Sequence, residues 1–277
     1  MHFTLAINLE TRMTILDEIV ANKRREIEEA KRIMPLDALI PYVNERTDFR
    51  GFARALEVPG VRIISEIKRR SPSKGDLALE LDPADVARAY ELGGAAALSV
   101  LTDAKYFGGC TDDLLAARNA VDLPVLRKEF IIDEYQVYES VACGADAILL
   151  IARILDDAQM ARLLGLAFDV GLDVLLEVHD AKDLERAKQT GARLIGINNR
   201  DLANFHTDLS VAMELTSYLE NVPGLVPVAL SGITSVSDIE MNLAVGIRHF
   251  LVGESLVKAQ NPTLLLQQMC AAEKPEL

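Results

Sequence analysis

Short runs of Val, Leu and Ile recur along the chain, and each is followed by a polar stretch with helical spacing of its apolar residues. Four of these runs begin directly after a glycine: Gly94-Ala-Ala-Ala-Leu-Ser-Val, Gly144-Ala-Asp-Ala-Ile-Leu-Leu, Gly191-Ala-Arg-Leu-Ile-Gly-Ile and Gly246-Ile-Arg-His-Phe-Leu-Val. A glycine past a helix end supplies the left-handed residue that stops the helix, so each motif reads as helix end, turn and strand. Four further runs lie between them: Val61-Arg-Ile-Ile-Ser-Glu-Ile, Leu123-Pro-Val-Leu-Arg, Leu172-Asp-Val-Leu-Leu-Glu and Val226-Pro-Val-Ala-Leu. Eight strands result.

A helical pattern follows each strand. Asp82-Pro83 is an N-cap with proline at the first helical position, and Leu81, Val86 and Tyr90 recur behind it. Similar segments start near Thr111, Asp133, Asp156, Asp180, Asp208, Ser235 and Asn261-Pro262, at or close to a capping side chain. Strict alternation of strand and helix implies a parallel sheet. Eight such units predict one closed (β/α)₈ TIM barrel, an α/β domain over residues 1–277. The competing architecture is an open doubly wound sheet, but no G-x-G-x-x-G follows the first strand.

Ahead of the barrel, Thr14 to Lys31 reads as an amphipathic helix with Ile15, Ile19 and Ile27 on one side. Pro35 separates it from a shorter helical piece. Residues 13–58 are thus expected to form a helical extension whose two helices cover one mouth of the barrel. The residues before Met13 read as a tail, with Met13 as a candidate start. The charged run Asn22-Lys-Arg-Arg-Glu-Ile-Glu-Glu reads as a solvated helix face with intrahelical pairs.

Composition narrows the function. A formal net charge of −13 argues against a nucleic-acid partner, though a small phosphorylated ligand depends only on a local site. No apolar run approaches the roughly 18 residues of a membrane helix, and the start does not read as a signal peptide. Cys110, Cys143 and Cys270 are scattered and spell neither a disulfide framework nor a zinc site, so the cytoplasm is the expected compartment. A monomer is the simplest assembly to expect.

Barrel enzymes carry their chemistry at the C-terminal ends of the strands. Those ends read Glu66-Ile-Lys68, Lys128-Glu129, Glu177-Val-His179, Asn198-Asn199-Arg200, Ser231-Gly232 and Gly253-Glu254-Ser255. Alternation puts Glu66 and Lys68 on one face; if Lys128 points inward, Leu126 does too, while Arg127 and Glu129 point to the helices. Two lysines, two glutamates and an asparagine then converge on one mouth, which is costly unless they pair or act. The glycines after the last two strands can bring backbone N–H groups to an anion. His179 reads as structural, and His206 and His249 have no ligand partners at metal spacing.

At these residues the chain resembles indole-3-glycerol phosphate synthase. The likeness lies in Glu66-Ile-Lys-Arg-Arg-Ser-Pro-Ser-Lys-Gly75, Leu101-Thr-Asp-Ala-Lys-Tyr-Phe-Gly-Gly109, Leu126-Arg-Lys-Glu-Phe-Ile131, Leu176-Glu-Val-His179, Gly196-Ile-Asn-Asn-Arg-Asp-Leu202 and Ser231-Gly-Ile233. The resemblance implies a carboxyphenylamino deoxyribulose phosphate as substrate. Its ring attacks the sugar ketone, and carbon dioxide and water leave, with no metal or organic cofactor. It implies Lys128 as the acid for ring closure, with Lys68, Glu66 and Glu177 sharing the dehydration in roles left open. Asn198 would hold a substrate hydroxyl or orient Glu177. Ser71, Gly232, Gly253 and the helix start at Glu254 would hold phosphate, and Phe107, Phe130, Arg200, Leu202 and Ser231 would line the pocket.

One position departs from the family, which usually has Glu before the last Ser-Gly where this chain has Leu230. Two other readings compete. One is a Schiff-base sugar-phosphate aldolase, whose lysine must be uncharged; Glu66 and Glu177 oppose that. The other is a non-catalytic ligand-binding relative, supported only by Leu230.

Overall fold

The structure, a computed structural model, describes residues 14–201, 206–219, 222 and 224–273. The sequence expectations for the tail, for Met13 and for Leu202 fall outside the described residues. Eight strands carry the fold: β1 (Arg62–Ile67), β2 (Ala97–Leu101), β3 (Val125–Lys128), β4 (Ala147–Ile151), β5 (Asp173–Val178), β6 (Leu194–Asn198), β7 (Val226–Leu230) and β8 (His249–Val252). Every neighbouring pair with a described register is parallel, and β8 closes back onto β1. The expected (β/α)₈ barrel is the observed architecture.

Three helices precede the barrel: α1 (Ile15–Ile33), α2 (Leu36–Glu45) and α3 (Phe52–Leu56). The others are α4 (Pro83–Leu92), α5 (Ala104–Phe107), α6 (Thr111–Ala120), α7 (Glu134–Ala142), α8 (Asp157–Asp169), α9 (Ala181–Lys188), α10 (Ser210–Ser217), α11 (Val236–Ala244), α12 (Glu254–Lys258) and α13 (Pro262–Cys270). The capping side chains do what their types suggest. Asp82 accepts from the N–H groups of Ala84 and Asp85, while Asp133, Asp156 and Ser235 each form a reciprocal capping box. Helices α6 and α10 depart from this, opening at Cys110 and Leu209 with no side-chain cap. Gly94, Gly144, Gly191 and Gly246 all take positive φ, as the helix-end motif requires.

Strand alternation splits the core. Ile63, Ile67, Leu98, Val100, Ile148 and Leu150 pack outward under the helices. Ile64, Ala97, Leu126, Leu149, Leu175, Val228 and Leu251 fill the barrel interior. The interior is therefore apolar through its lower layers and turns polar only at the C-terminal strand ends.

The extension does not lie over one mouth. Helix α3 closes the N-terminal end: Phe52 and Leu56 join the interior cluster, the Ala53 N–H donates to Asp173 Oδ2 (2.8 Å), and Glu57 pairs with Arg193 (2.8 Å). Helix α2 packs outside, against α7, through Leu39. Helix α1 alone reaches the C-terminal side, where Leu16 and Ile19 meet the cluster that contains Phe130. The reading of residues 22–29 as a wholly solvated face also fails. Arg24, Arg25, Glu28 and Glu29 are exposed, but Asn22 and Lys23 are buried because carboxylates from the barrel loops meet that side of the helix.

Between α2 and α3 the chain is pinned by charge. Asp146, just before β4, accepts from Arg46 (3.0 Å), Arg118 (2.6 Å) and the backbone N–H groups of Arg50 (3.1 Å) and Val125 (2.9 Å). Arg50 in turn donates to the carbonyls of Arg118, Val121 and Leu123.

Candidate active site

The C-terminal mouth opens into a cavity of about 500 Å³. Of the residues named from the sequence, Glu66, Lys68, Ser71, Phe107, Lys128, Phe130, Glu177, Asn198, Arg200, Ser231, Gly232, Gly253 and Glu254 all line it. The inward assignments of Glu66 and Lys128 hold, and Arg127 turns outward to Glu139 (2.6 Å). Strand register explains the convergence. Glu66, Lys128 and Glu177 sit one pleat above Ile64, Leu126 and Leu175, whose side chains point the same way.

The charged groups form two pairs. Lys68 Nζ lies 2.7 Å from Glu66 Oε1 on β1. Lys128 Nζ, from β3, lies 3.5 Å from Glu177 Oε2 on β5. Both lysines thus face a carboxylate, the ion-paired state that a Schiff-base nucleophile must leave. Glu177 is almost wholly buried at 1% exposure, yet its carboxyl is pulled down to about 2. Burial pushes the other way, and the Lys128 ammonium, His179 and Asn198 together overcome it. The contacts are specific: Asn198 Nδ2 donates to Glu177 Oε1 at 2.9 Å, and His179 Nε2 lies 3.2 Å from the same oxygen. Asn198 Oδ1 accepts from the Arg200 N–H (3.0 Å), so its amide is fixed at both ends. His179 thus stands directly behind Glu177, although neither of its ring nitrogens completes a hydrogen bond.

The opposite rim is built from turns. Ser231 has φ +64°, the sole positive φ at a non-glycine among the described residues. Such a conformation is costly and clusters at functional sites. Asn199 holds it, donating from Nδ2 to the Ser231 carbonyl (3.1 Å), while the Asn199 N–H bonds the Leu230 carbonyl (3.0 Å). Gly232 follows at φ +83°, where a Cβ would press within 2.8 Å of Thr207 and Leu209 side-chain carbons. Gly253 precedes α12, and Ser71 stands on a hairpin of Arg70–Ser71 and Gly75–Asp76. Arg200 donates to Ser73 Oγ (2.6 Å), and Glu254 is engaged by Lys258 (2.7 Å), Arg200 (3.5 Å) and Lys74 (3.9 Å). These cations hold the Glu254 carboxyl below its ordinary value despite the opposing effect of burial.

The remaining wall is apolar. Phe107 and Phe130 stand with centroids 6.0 Å apart and planes tilted 41°. Leu230 faces the cavity and is 2% exposed. It neighbours Asn198 in register, and its Cδ1 occupies the space left by Gly196, 2.8 Å from where a Cβ would stand. Sequence reasoning missed Ser73, Lys74, Leu101, Ile151, Thr207, Leu209 and Thr234 as lining residues. Ser73 and Lys74 could have been found, since they fall inside the Arg69–Gly75 string already singled out. The others sit on loops or between charged strand ends and carry no chemical signature.

The fold and this mouth define a barrel enzyme of the acid–base class, with paired lysines and carboxylates between an apolar wall and a glycine-turn rim. The protein-family model for indole-3-glycerol phosphate synthase matches residues 16–269. A protein of that name from Desulfosudis oleivorans is 52% identical over 92% of this chain and 98% of its own length. One from Syntrophobacter fumaroxidans is 45% identical over 93% of this chain and 97% of its own. The chain belongs to the indole-3-glycerol phosphate synthase family, the ring-closing carboxy-lyases of tryptophan biosynthesis. Among solved structures, 3-hexulose-6-phosphate synthase from Salmonella typhimurium aligns with TM-score 0.58 at 12% identity, over 76% of this chain and 97% of that one, a likeness of fold alone. No described helix is long and apolar enough to cross a membrane, and no described cluster of His, Cys, Asp and Glu could hold a metal ion.

Proposed function

We propose that this cavity converts 1-(2-carboxyphenylamino)-1-deoxyribulose 5-phosphate to indole-3-glycerol phosphate, with the two lysine–carboxylate pairs dividing the proton transfers. The observation that carries this reading is the presence of two such pairs in one mouth. The ring carbon bearing the carboxylate attacks the ketone carbon, and Lys128 delivers a proton to the ketone oxygen as it gains charge. Carbon dioxide then leaves, and its bonding electrons restore the aromatic ring. In the last step the new hydroxyl departs as water with a proton from Lys68. Glu66, beside Lys68, takes the proton from the carbon next to the ring nitrogen. Glu177, held by Asn198 with His179 behind it, keeps Lys128 aimed.

The anthranilate ring rests against Phe107, Phe130 and Leu230, since a flat apolar group needs apolar walls. The phosphate sits opposite, on the N–H groups of Gly232, Gly253 and the start of α12, beside Ser71 and Ser231, with Lys74 and Arg200 supplying positive charge. The same reading takes the enzyme to be one barrel domain that acts as a cytoplasmic monomer. The test is indole fluorescence appearing from the carboxyphenylamino substrate. A substrate-dependent signal inhibited by inorganic phosphate supports the reading; absence of turnover in folded protein refutes it.

A further inference from the structure

Lys23 lies in α1, outside the barrel, and belongs to neither lysine pair of the mouth. It is 5% exposed and touches three carboxylates: Glu26 at 2.6 Å on its own helix, Asp103 at 2.9 Å and Glu129 at 3.0 Å. Burial opposes its charge, but Glu129 and Asp103 outweigh burial and raise the lysine above its ordinary value. A buried ammonium with three partners is expensive to build by chance.

The two distant partners have second tasks. Asp103 follows β2 and caps α5, accepting from the Tyr106 N–H through Oδ1 (2.7 Å). That short helix ends in Phe107. Glu129 follows β3 and accepts from the Phe130 N–H through Oε1 (2.8 Å). Its Oε2 accepts from Thr102 Oγ1 (3.0 Å), which in turn accepts from Arg127 Nε (3.1 Å). Each carboxylate therefore fixes the backbone at, or one residue from, an aromatic wall, and the single ammonium of Lys23 joins them. Helix α1 adds apolar support, since Leu16 and Ile19 share a cluster with Phe130, and Phe107 packs against it.

We propose that Lys23 is a positioning residue for the reaction: from behind the site it clamps the two loops that hold Phe107 and Phe130, and so sets the slot for the substrate's aromatic ring. The inference rests on the ring-closing reading above. It predicts that the ring end of the substrate, but not the phosphate end, depends on Lys23.

The experiment compares Lys23→Met with the unmodified enzyme in the fluorescence assay, beside inhibition by inorganic phosphate. Releasing two aromatic side chains that were immobilised should raise KM about tenfold. The phosphate inhibition constant should stay the same, because phosphate probes the other rim. Lys23→Arg, which keeps the charge, should recover most of the loss. Lys23→Met leaves two buried carboxylates close together and can compromise folding. The double variant Lys23→Met with Glu129→Gln removes that repulsion while keeping an acceptor for the Phe130 N–H, and it should show the same raised KM. An unchanged KM in folded Lys23→Met or in the double variant overturns the proposal, as does a parallel rise in the phosphate inhibition constant. Absence of turnover in the unmodified enzyme would instead strike the ring-closing reading itself.

Discussion

Glu66 lies flat against the bare face of Gly253: a Cβ on that glycine would stand 3.0 Å from both Cβ and Cδ of Glu66, and closer still to Oε1. The glycine thus serves two purposes at once. It leaves room for the carboxylate that meets Lys68 and, in the proposed reaction, offers its N–H to the phosphate. Gly253 has φ −131°, so alanine there escapes the positive-φ penalty, and what it adds is crowding against Glu66.

Gly253→Ala should therefore displace Glu66 from Lys68. The expected result is a turnover lowered by at least about tenfold, since general acid–base groups contribute about 10²–10⁴-fold when well placed. Thermal stability should change little. Turnover equal to that of the unmodified enzyme would mean that the Glu66–Lys68 contact is not needed.

Leu230 presents the reverse case, an apolar side chain in a ring of charged ones. It faces the cavity, so a carboxylate at this position would share the mouth with Lys68 and Lys128. Leu230→Glu should extend activity on the alkaline side, because an added anion favours the protonated form of the nearest lysine. It should move the thermal midpoint less than it moves the pH–rate profile. Superimposable profiles for the two forms would reduce Leu230 to packing.

Glu177 links the site to acid stability. Its folded carboxyl is held at about 2 against an ordinary 4.5. A depressed carboxyl stabilises the fold above its unfolded value, and that contribution is lost as pH falls from about 4.5 towards 2. Urea midpoints of the unmodified protein should thus drop more steeply between pH 5 and 3, to the order of a unit, than those of Glu177→Gln. Parallel lines for the two proteins would place the acid sensitivity elsewhere.

Stability and chemistry sit at opposite ends of the barrel. Removing Asp146 strands Arg46 and Arg118 without their buried partner. Asp146→Ala should cost roughly 3–5 kcal/mol, the usual loss on breaking a buried pair, and lower the melting temperature by on the order of 10 °C. At 25 °C its kcat and KM should match those of the parent. A selective loss of turnover without a stability change would contradict this division.

Why some of this was legible from the sequence follows from period. Strand ends announce themselves because side chains alternate, so Glu66 could be grouped with Lys68 and Lys128 with Leu126; which face is the inner one is not told by neighbours such as Ile63 and Ile64, which are apolar on both faces. The caps at Asp82, Asp133, Asp156 and Ser235 are local chemistry and were equally readable. Lys23 was not. Its place midway between Ile19 and Ile27 on the apolar stripe sets it apart from Arg24 and Arg25, but its partners carry no local signal: Asp103 and Glu129, far along the chain, arrive at the same point. The path of the extension was hidden for the same reason. The contact of Leu39 with the α7 side and the seat of Phe52 beneath the barrel are tertiary facts with no periodic signal. The approach of His179 to Glu177 lies between these extremes, since the two are near neighbours at one strand end yet meet only through how that end turns.

In the proposed reaction Lys128, aimed by Glu177, delivers the proton that allows the ring to close. The most direct measurement is the turnover of Lys128→Met, read by indole fluorescence at saturating substrate. A fall of at least ~10²-fold in kcat with a much smaller change in KM is expected, as befits a group that acts on the developing oxyanion. Near-normal turnover in the variant would contradict it.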